Sequence, residues 1–364
     1  MKRYVAVSLV LVLAGGLTGC LFSLNHPILG PDGTLAVFLN PDGTYGLFPE
    51  EGILHLLRDG EWIPVPAATL SDTGALLAVS PNGAEYLYLE LQSGELFDPI
   101  TSLIYRVAAS LDAIPRLLLE TERRIAKVEW TDEGILLLMI GDEDLGVLEA
   151  MNPETGELRP LFDDLLSFEW VEPSGQLILI GADPEGEIGI GHIGRWDPLR
   201  DDGEELGSFV LTEATMEAFT TMPHSFFWDV SPDGEWMALA LFDQSLIEPT
   251  ADVSVPAIYL IDLGFDTAER VATGGLIPAF SPDAAWLAYV GTDDGIVGRV
   301  LLRDPRTGET MVVPGTEGVE SMFWIASDRL GVTFEEEEDR SRLVEIDLVS
   351  GRAHDLIEQP ELVP

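Results

Sequence analysis

Along the chain, short apolar or aromatic approaches end at small polar corners and restart as runs of Val, Leu, Ile and Tyr. The pattern recurs as LGPDGTLAVFL (29–39), LSDTGALLAV (70–79), EWTDEGILLLM (129–139), EWVEPSGQLILI (169–180), VSPDGEWMALA (230–240), FSPDAAWLAYV (280–290) and, degraded, WIASDRLGVTF (324–334). A corner used about seven times is architecture, whereas chemistry usually needs one site. Pro, Asp, Asn and Gly supply the φ values of tight turns, and the flanking β-branched and aromatic runs read as strands. The run after each corner is nearly continuous, as from Ile135 to Ile140. Such runs predict strands covered on both faces.

A second corner lies downstream in several units: QSGEL (92–96), ETGEL (154–158), RTGET (306–310) and VSGRA (349–353). From Gly74 to Gly94, Gly134 to Gly156 and Ala284 to Gly308 the separations are 20, 22 and 24 residues, room for two short strands. Each unit reads as strand, Asp-Gly turn, strand, loop, strand, Thr/Ser-Gly turn, strand. The second unit divides as AATL, SDTG, ALLAVS, PNG, AEYLYLEL, QSG and ELFDPI. The expected fold is all-β, a β-propeller of four-stranded blades over 29–358, with seven blades favoured and six or eight compatible.

Successive corners at Gly33, Gly74, Gly134, Gly175, Gly234, Ala284 and Arg329 are 41, 60, 41, 59, 50 and 45 residues apart. The long intervals predict insertions near 97–127 and 196–225. In the first, Ile100, Leu103, Ile104, Val107, Ala108 and Leu111 fall at helical spacing before Pro115, which predicts a helix. The same segment collects Arg106, Arg116, Arg123, Arg124 and Lys127, either solvated or a partner-docking patch. The second, containing LTEATMEAF, reads as a loop with a short helix. Closure of the ring predicts that 342–351 shares a blade with a strand near 24–30.

The FSPDG-x-x-LA-hydrophobic unit resembles the PD40 repeat of TolB-like β-propellers, a relative of the WD40 blade, over nearly all of the chain after residue 28. The resemblance implies the architecture, but this fold serves scaffolds, receptors and enzymes alike. The chain departs from TolB in its amino terminus and in the expected absence of an α/β domain before the repeats.

That amino terminus, MKRYVAVSLVLVLAGGLTGC, places Lys2 and Arg3 before an apolar run from Tyr4 to Leu13 and then small residues. It reads as a secretory signal over 1–19. Leu17-Thr18-Gly19-Cys20 resembles the lipobox of bacterial lipoproteins, in which the cysteine is diacylated. Cys20 is the only cysteine, so it is the predicted lipidation site and intrachain disulfides are excluded. Residues 20–28 would be the lipidated tether and 359–364 a tail. A membrane is therefore an expected partner through lipid, and the expected location is the bacterial cell envelope outside the cytoplasm.

The 364 residues carry 19 Lys+Arg against 64 Asp+Glu, a formal charge of −45, with Lys2 and Lys127 the only lysines. Nucleic acid is excluded as a partner by this balance, and the mutual repulsion suits a soluble monomer in a screened medium. GDEDLG (141–146), GTDDG (291–295) and EEEED (335–339) lack the alternating Asp spacing of a calcium loop. Calcium is the only cofactor in view, and no other is predicted.

GIGHIG (189–194) satisfies G-x-G-x-x-G, but RWDPLRDDGEE follows where a dinucleotide site needs a helix, so the glycines are assigned to a strand and its bulges. There is no G-x-S-x-G, and His26, His55, His192, His224 and His354 form no zinc-type pair. Trp130, Trp170, Trp228 and Trp324 each precede a first corner and are expected to pack between blades, while Trp62 and Trp196 fall outside the pattern as candidates for a binding surface. No catalytic residue is predicted. The favoured function is a non-enzymatic binding or scaffold protein for a protein, peptide or glycan; the alternative is a lactonase-like propeller hydrolase with calcium in its channel.

Overall fold

The computed structural model describes residues 27–357 apart from 31–32, 41–42, 46–50, 59, 72–74, 93–100, 111, 142–144, 173, 184–188, 199–201, 213–214, 217–218, 220–226, 243–255, 265–266, 294–295 and 338–339. Strands follow one another as antiparallel neighbours in chain order. The first sheet contains β1 (Ile28–Leu29), β2 (Leu35–Leu39), β3 (Glu51–Arg58) and β4 (Glu61–Ser71), and the second β5 (Ala75–Val79), β6 (Glu85–Gln92), β7 (Thr101–Ala108) and β8 (Arg116–Thr121). A seven-stranded sheet holds β9 (Arg124–Trp130), β10 (Leu136–Gly141), β11 (Gly146–Met151), β12 (Leu158–Val171), β13 (Gln176–Asp183), β14 (Gly189–Asp197) and β15 (Asp202–Leu211). Then come β16 (Trp228–Val230), β17 (Trp236–Leu241), β18 (Ala257–Asp262) and β19 (Thr267–Thr273). The fifth sheet has β20 (Gly275–Phe280), β21 (Leu287–Asp293), β22 (Ile296–Arg303) and β23 (Thr310–Val312). The last has β24 (Val319–Ala326), β25 (Arg329–Glu337), β26 (Arg340–Asp347) and β27 (Arg352–Asp355).

The seven-stranded sheet is two four-stranded sets sharing β12. The first half of β12 pairs with β11, from Met151↔Leu158 to Gly146↔Leu165, and β12 also neighbours β13. Asp164, at φ 58, lies between the halves. Leu158–Pro160 are exposed, as befits an outer strand, whereas Leu165–Phe168 are buried, as befits an inner one. Burial falls outward elsewhere too: β2 is buried throughout and β27 exposed throughout. Of the run Ile135–Ile140 predicted to be covered on both faces, Ile135, just before the strand, is exposed, while Leu136 through Ile140 are all buried in β10. Each such side chain stabilises by roughly 1.5–3 kcal/mol.

The corner between first and second strands has a fixed construction. Ser231 donates to Asp233 Oδ1 (2.6 Å) and accepts the Trp236 amide (2.9 Å), while Asp233 Oδ1 accepts the Glu235 amide (3.1 Å). Ser281 and Asp283 repeat this at 2.7, 2.9 and 3.2 Å, and Ser80 and Asn82 at 2.8, 2.9 and 3.0 Å. Gly234 closes its corner at φ 69, a conformation that costs little without a Cβ. The second corner opens on an Asx acceptor: Asp304 Oδ1 takes the amides of Arg306 and Thr307 at 2.7 and 3.0 Å, and Asp347 Oδ1 those of Val349 and Ser350 at 2.9 and 2.7 Å.

These corners correct the register of the second repeat. Its first corner is Ser80–Gly83, between β5 and β6, whereas 71–74 joins β4 to β5. Gly83 stands 50 residues after Gly33 and 51 before Gly134, so the insertion near 97–127 disappears. Residues 101–108 are β7, paired with β6 from Gln92↔Thr101 to Glu85↔Ala108, in place of the expected helix. Sheet pairing overrides a helical spacing that was never more than a weak local preference. In 196–225, 202–211 is likewise strand β15, and among the described residues only 215–216 and 219 are helical.

The described chain forms two compact units, 168–335 with 344–354, and 27–167 with 336–343 and 355–357. In the second unit Phe38, Leu54, Leu56, Tyr86 and Tyr88 share one buried cluster, Phe38 meeting Tyr88 edge-on at 6.0 Å. Among the described residues the shared-strand closure is not formed: β1 pairs with β2, Ile28↔Ala36 and Leu29↔Leu35, and the last sheet consists of β24–β27. Local pairing across a short turn costs less chain entropy than recruiting a strand from the far end of the chain. Between the terminal segments the Ser341 amide donates to the Tyr45 carbonyl (3.0 Å) and Trp62 Nε1 to the Leu356 carbonyl (2.9 Å). In the first unit Trp228 and Trp324 are buried, and Trp324 Nε1 donates to the Ala279 carbonyl at 3.0 Å, the packing role predicted for them.

Candidate ligand-binding cleft

The glycine-rich stretch lies in β14. It pairs with β13 from Leu177↔Trp196 to Asp183↔Ile190 and with β15 from Gly189↔Leu211 to Asp197↔Asp202, with a bulge between Ile193 and Gly194. A strand with a bulge is what the sequence suggests, and no helix starts there. Gly191 faces Phe209, whose ring fills the space a side chain would take: a Cβ on Gly191 would lie 2.2 Å from Phe209 Cζ.

Beside β15, within the first unit, opens a cleft of about 510 Å³. One wall is β15 itself, from Leu206 to Val210; the other is the sheet β16–β19, presenting Leu239, Leu241, Tyr259 and Ile261. The volume lies in the usual range for ligand pockets, as does the apolar lining with a few polar groups. Those polar groups are largely fixed by the fold. Thr212 Oγ1 donates to the Phe242 carbonyl (3.0 Å), and Thr215 Oγ1 accepts the Phe242 amide (3.1 Å). Asp262 Oδ1 accepts the Gly264 amide (2.9 Å). Arg195 bridges the walls, Nη1 to Glu204 Oε1 at 3.3 Å and Nη2 to the Leu263 carbonyl at 3.1 Å. Val210 is 63% exposed and its cross-strand partner Ile190 47%, an uncovered apolar pair at the mouth.

Cys20 lies outside the described residues. Trp62 is half-buried on β4 with its indole N–H bonded to Leu356, and Trp196 is half-buried on β14 between Leu177 and Gly203. The two tryptophans belong to different units and neither lines the cleft. The basic side chains of the expected docking patch are mostly engaged: Arg106 with Glu85 and Glu154, Arg123 with Glu149, Lys127 with Glu129. Among the described residues no three His, Cys, Asp or Glu side chains are grouped to hold a metal ion. At Glu320 on β24 burial, with the Glu335 charge adding to it, raises the carboxyl group to about 7. No sequence motif marked the cleft.

No protein-family model matches the sequence, and no curated protein matches it. Solved structures do. The β-propeller domain of the Trilobed protease from Pyrococcus furiosus, which has an open velcro topology, is similar at TM-score 0.61 and 14% identity, over 94% of this chain and 97% of that one. Puromycin hydrolase is similar at TM-score 0.60 and 16% identity over 94% of this chain, which spans 55% of the hydrolase. TolB from Acinetobacter baumannii is matched at TM-score 0.48 and 13% identity, over 85% of this chain and 76% of TolB. Together with the repeated four-stranded antiparallel sheets, the first two establish the fold of this chain as a β-propeller.

Proposed function

We propose that the chain is a lipid-anchored, extracytoplasmic, seven-bladed β-propeller that acts as a non-enzymatic binding protein for a protein or peptide ligand. The cleft beside β15 carries this reading, because it combines ligand-pocket volume with apolar walls and a rim whose polar groups are already spoken for. The half-buried Leu241, Tyr259 and Ile261 on the opposite wall suit the apolar side chains of a peptide. The anchor is diacylglycerol on Cys20, supported by the basic start, the apolar run and the sole cysteine. Two acyl chains, at ~0.8 kcal/mol per buried CH₂, suffice for stable attachment.

Selection from a random peptide display library tests the binding reading. Peptides should enrich on the native chain and not on Val210→Lys, which puts a cation at the cleft mouth; no enrichment, or equal enrichment on both, removes it. Labelled fatty-acid incorporation with detergent phase partitioning tests the anchor. The native chain should take up label and partition with detergent, Cys20→Ala should do neither, and equal membrane retention of both overturns the lipid assignment.

A further inference from the structure

Five consecutive residues of β15, Leu206 to Val210, line the cleft. Side chains alternate between the faces of a strand, so a hollow against one face would meet every second residue. Contact with five in succession therefore carries the cleft round the edge of β15, while Ile193 on β14, opposite Gly207, extends it over one face of the pair. The opposite wall behaves differently: Leu239 and Leu241 on β17, and Tyr259 and Ile261 on β18, are alternate residues and so present one face of their sheet. β15 ends its sheet, and among the described residues no strand pairs with its outer side. Among the described residues one wall is thus an unpaired strand edge and the other an apolar face.

We infer that the cleft takes an extended peptide segment that adds to β15 as a further strand, with alternate side chains laid on Leu241, Tyr259 and Ile261. This rests on the binding reading above and specifies its ligand. The stretch from Leu206 to Val210 is roughly 16 Å long at about 3.3 Å per residue, which sets the apolar core of the segment at about five residues. The other end of β15 sets the flank. Asp202, Glu204 and Glu205 are exposed there, balanced by Arg195 at 3.3 Å from Glu204 and His192 at 2.9 Å from Glu205. The charge surplus is negative, so the occupant carries basic residues beyond its apolar core. In the antiparallel arrangement used throughout the fold, the segment reads apolar first and basic second.

The test uses the purified full chain and a labelled peptide of about nine residues, alternating Val and Thr and ending in two Lys, followed by fluorescence anisotropy. Alternate amides of an added strand face the ladder and the rest face away. N-methylating one alternate set should weaken binding roughly tenfold or more, while methylating the other should leave it nearly unchanged. Exchanging the lysines for glutamates should weaken binding at low salt, by roughly tenfold. Equal affinity of the two methylated forms, or no binding of the parent peptide, overturns strand addition. An apolar solvatochromic dye separates that failure from failure of the cleft. Dye bound by the native chain and lost in Val210→Lys leaves a binding cleft without strand addition, and dye bound by neither removes the cleft reading as well.

Discussion

Phe209 occupies the space above Gly191 across the β14–β15 pair, so close that a methyl group on the glycine would meet the ring at 2.2 Å. The same relationship recurs between Phe323 and Gly331, where the distance is also 2.2 Å. In both cases an aromatic ring covers a glycine that would otherwise leave a hole in the sheet. Because Phe209 also lines the cleft, Gly191 controls the shape of a site it does not touch. Gly191→Ala should push the ring toward the cleft, weakening ligand binding roughly tenfold at a stability cost of about 1–3 kcal/mol. Calorimetric titration beside urea unfolding measures both, and full affinity in Gly191→Ala would refute the coupling.

Arg106 joins two neighbouring repeats in the second unit. Its Nε and Nη2 donate to Glu85 Oε1 and Oε2 at 2.7 and 2.6 Å, its Nη1 reaches Glu154 at 2.6 Å, and its guanidinium lies 5.6 Å from the Trp130 ring centre. The two-pronged bond and the stacking need a planar fork, which lysine lacks. Arg106→Ala should cost about 1–3 kcal/mol, and Arg106→Lys should recover less than half of it. A lysine variant as stable as the native chain in urea would show that charge alone matters there.

The pH dependence of stability has a sign fixed by Glu320. Burial first, and the Glu335 charge second, lift its folded value from the ordinary 4.5 to about 7, so the folded chain holds a proton that the unfolded chain releases. The stability from that proton is full below 4.5 and is lost as pH rises through about 7. Asp304 and Asp347 act oppositely. Backbone amides, of Thr307 and Ser350 first, hold them below the ordinary 3.8, so their contribution is lost as pH falls below that value. Unfolding midpoints should therefore decline between pH 4.5 and 7 in the native chain and flatten over that window in Glu320→Gln. An unchanged slope in the variant would assign the titration elsewhere.

With a formal charge of −45, self-repulsion opposes the compact state at low ionic strength. The melting temperature should rise along a sodium chloride series as screening shortens the reach of each charge. A flat series would mean that the carboxylates are too dispersed to repel appreciably.

The architecture was legible because its corners are local. Ser231, Asp233 and Gly234 determine a turn among themselves, whatever the distant chain does, and the same holds for Ser281 and Asp283. Legibility failed where two corners competed. Residues 71–74 and 80–83 both carry turn formers, and the bond from Ser80 to Asn82 with the return of the Glu85 amide identifies the second as a first corner. It failed again at the cleft. The first half of DGEELGSFVL is polar, and the apolar half becomes a wall only because Leu239 and Tyr259 arrive from the next sheet. The hydrogen bond of Trp62 was illegible for a related reason, since its indole partner, Leu356, is 294 residues away.

The strand β12 serves two repeats at once, its exposed half completing one set and its buried half beginning the next. Repeat arrays change length by gaining or losing whole modules, and a clean exchange needs a junction outside any strand. Gly274 provides one between β19 and β20, but a break at Asp164 would strip the fourth strand from one set or the first from the other, leaving raw ladder edges. The third and fourth repeats therefore form a single heritable block, expected to be copied or deleted together, while insertions and deletions accumulate at the other junctions.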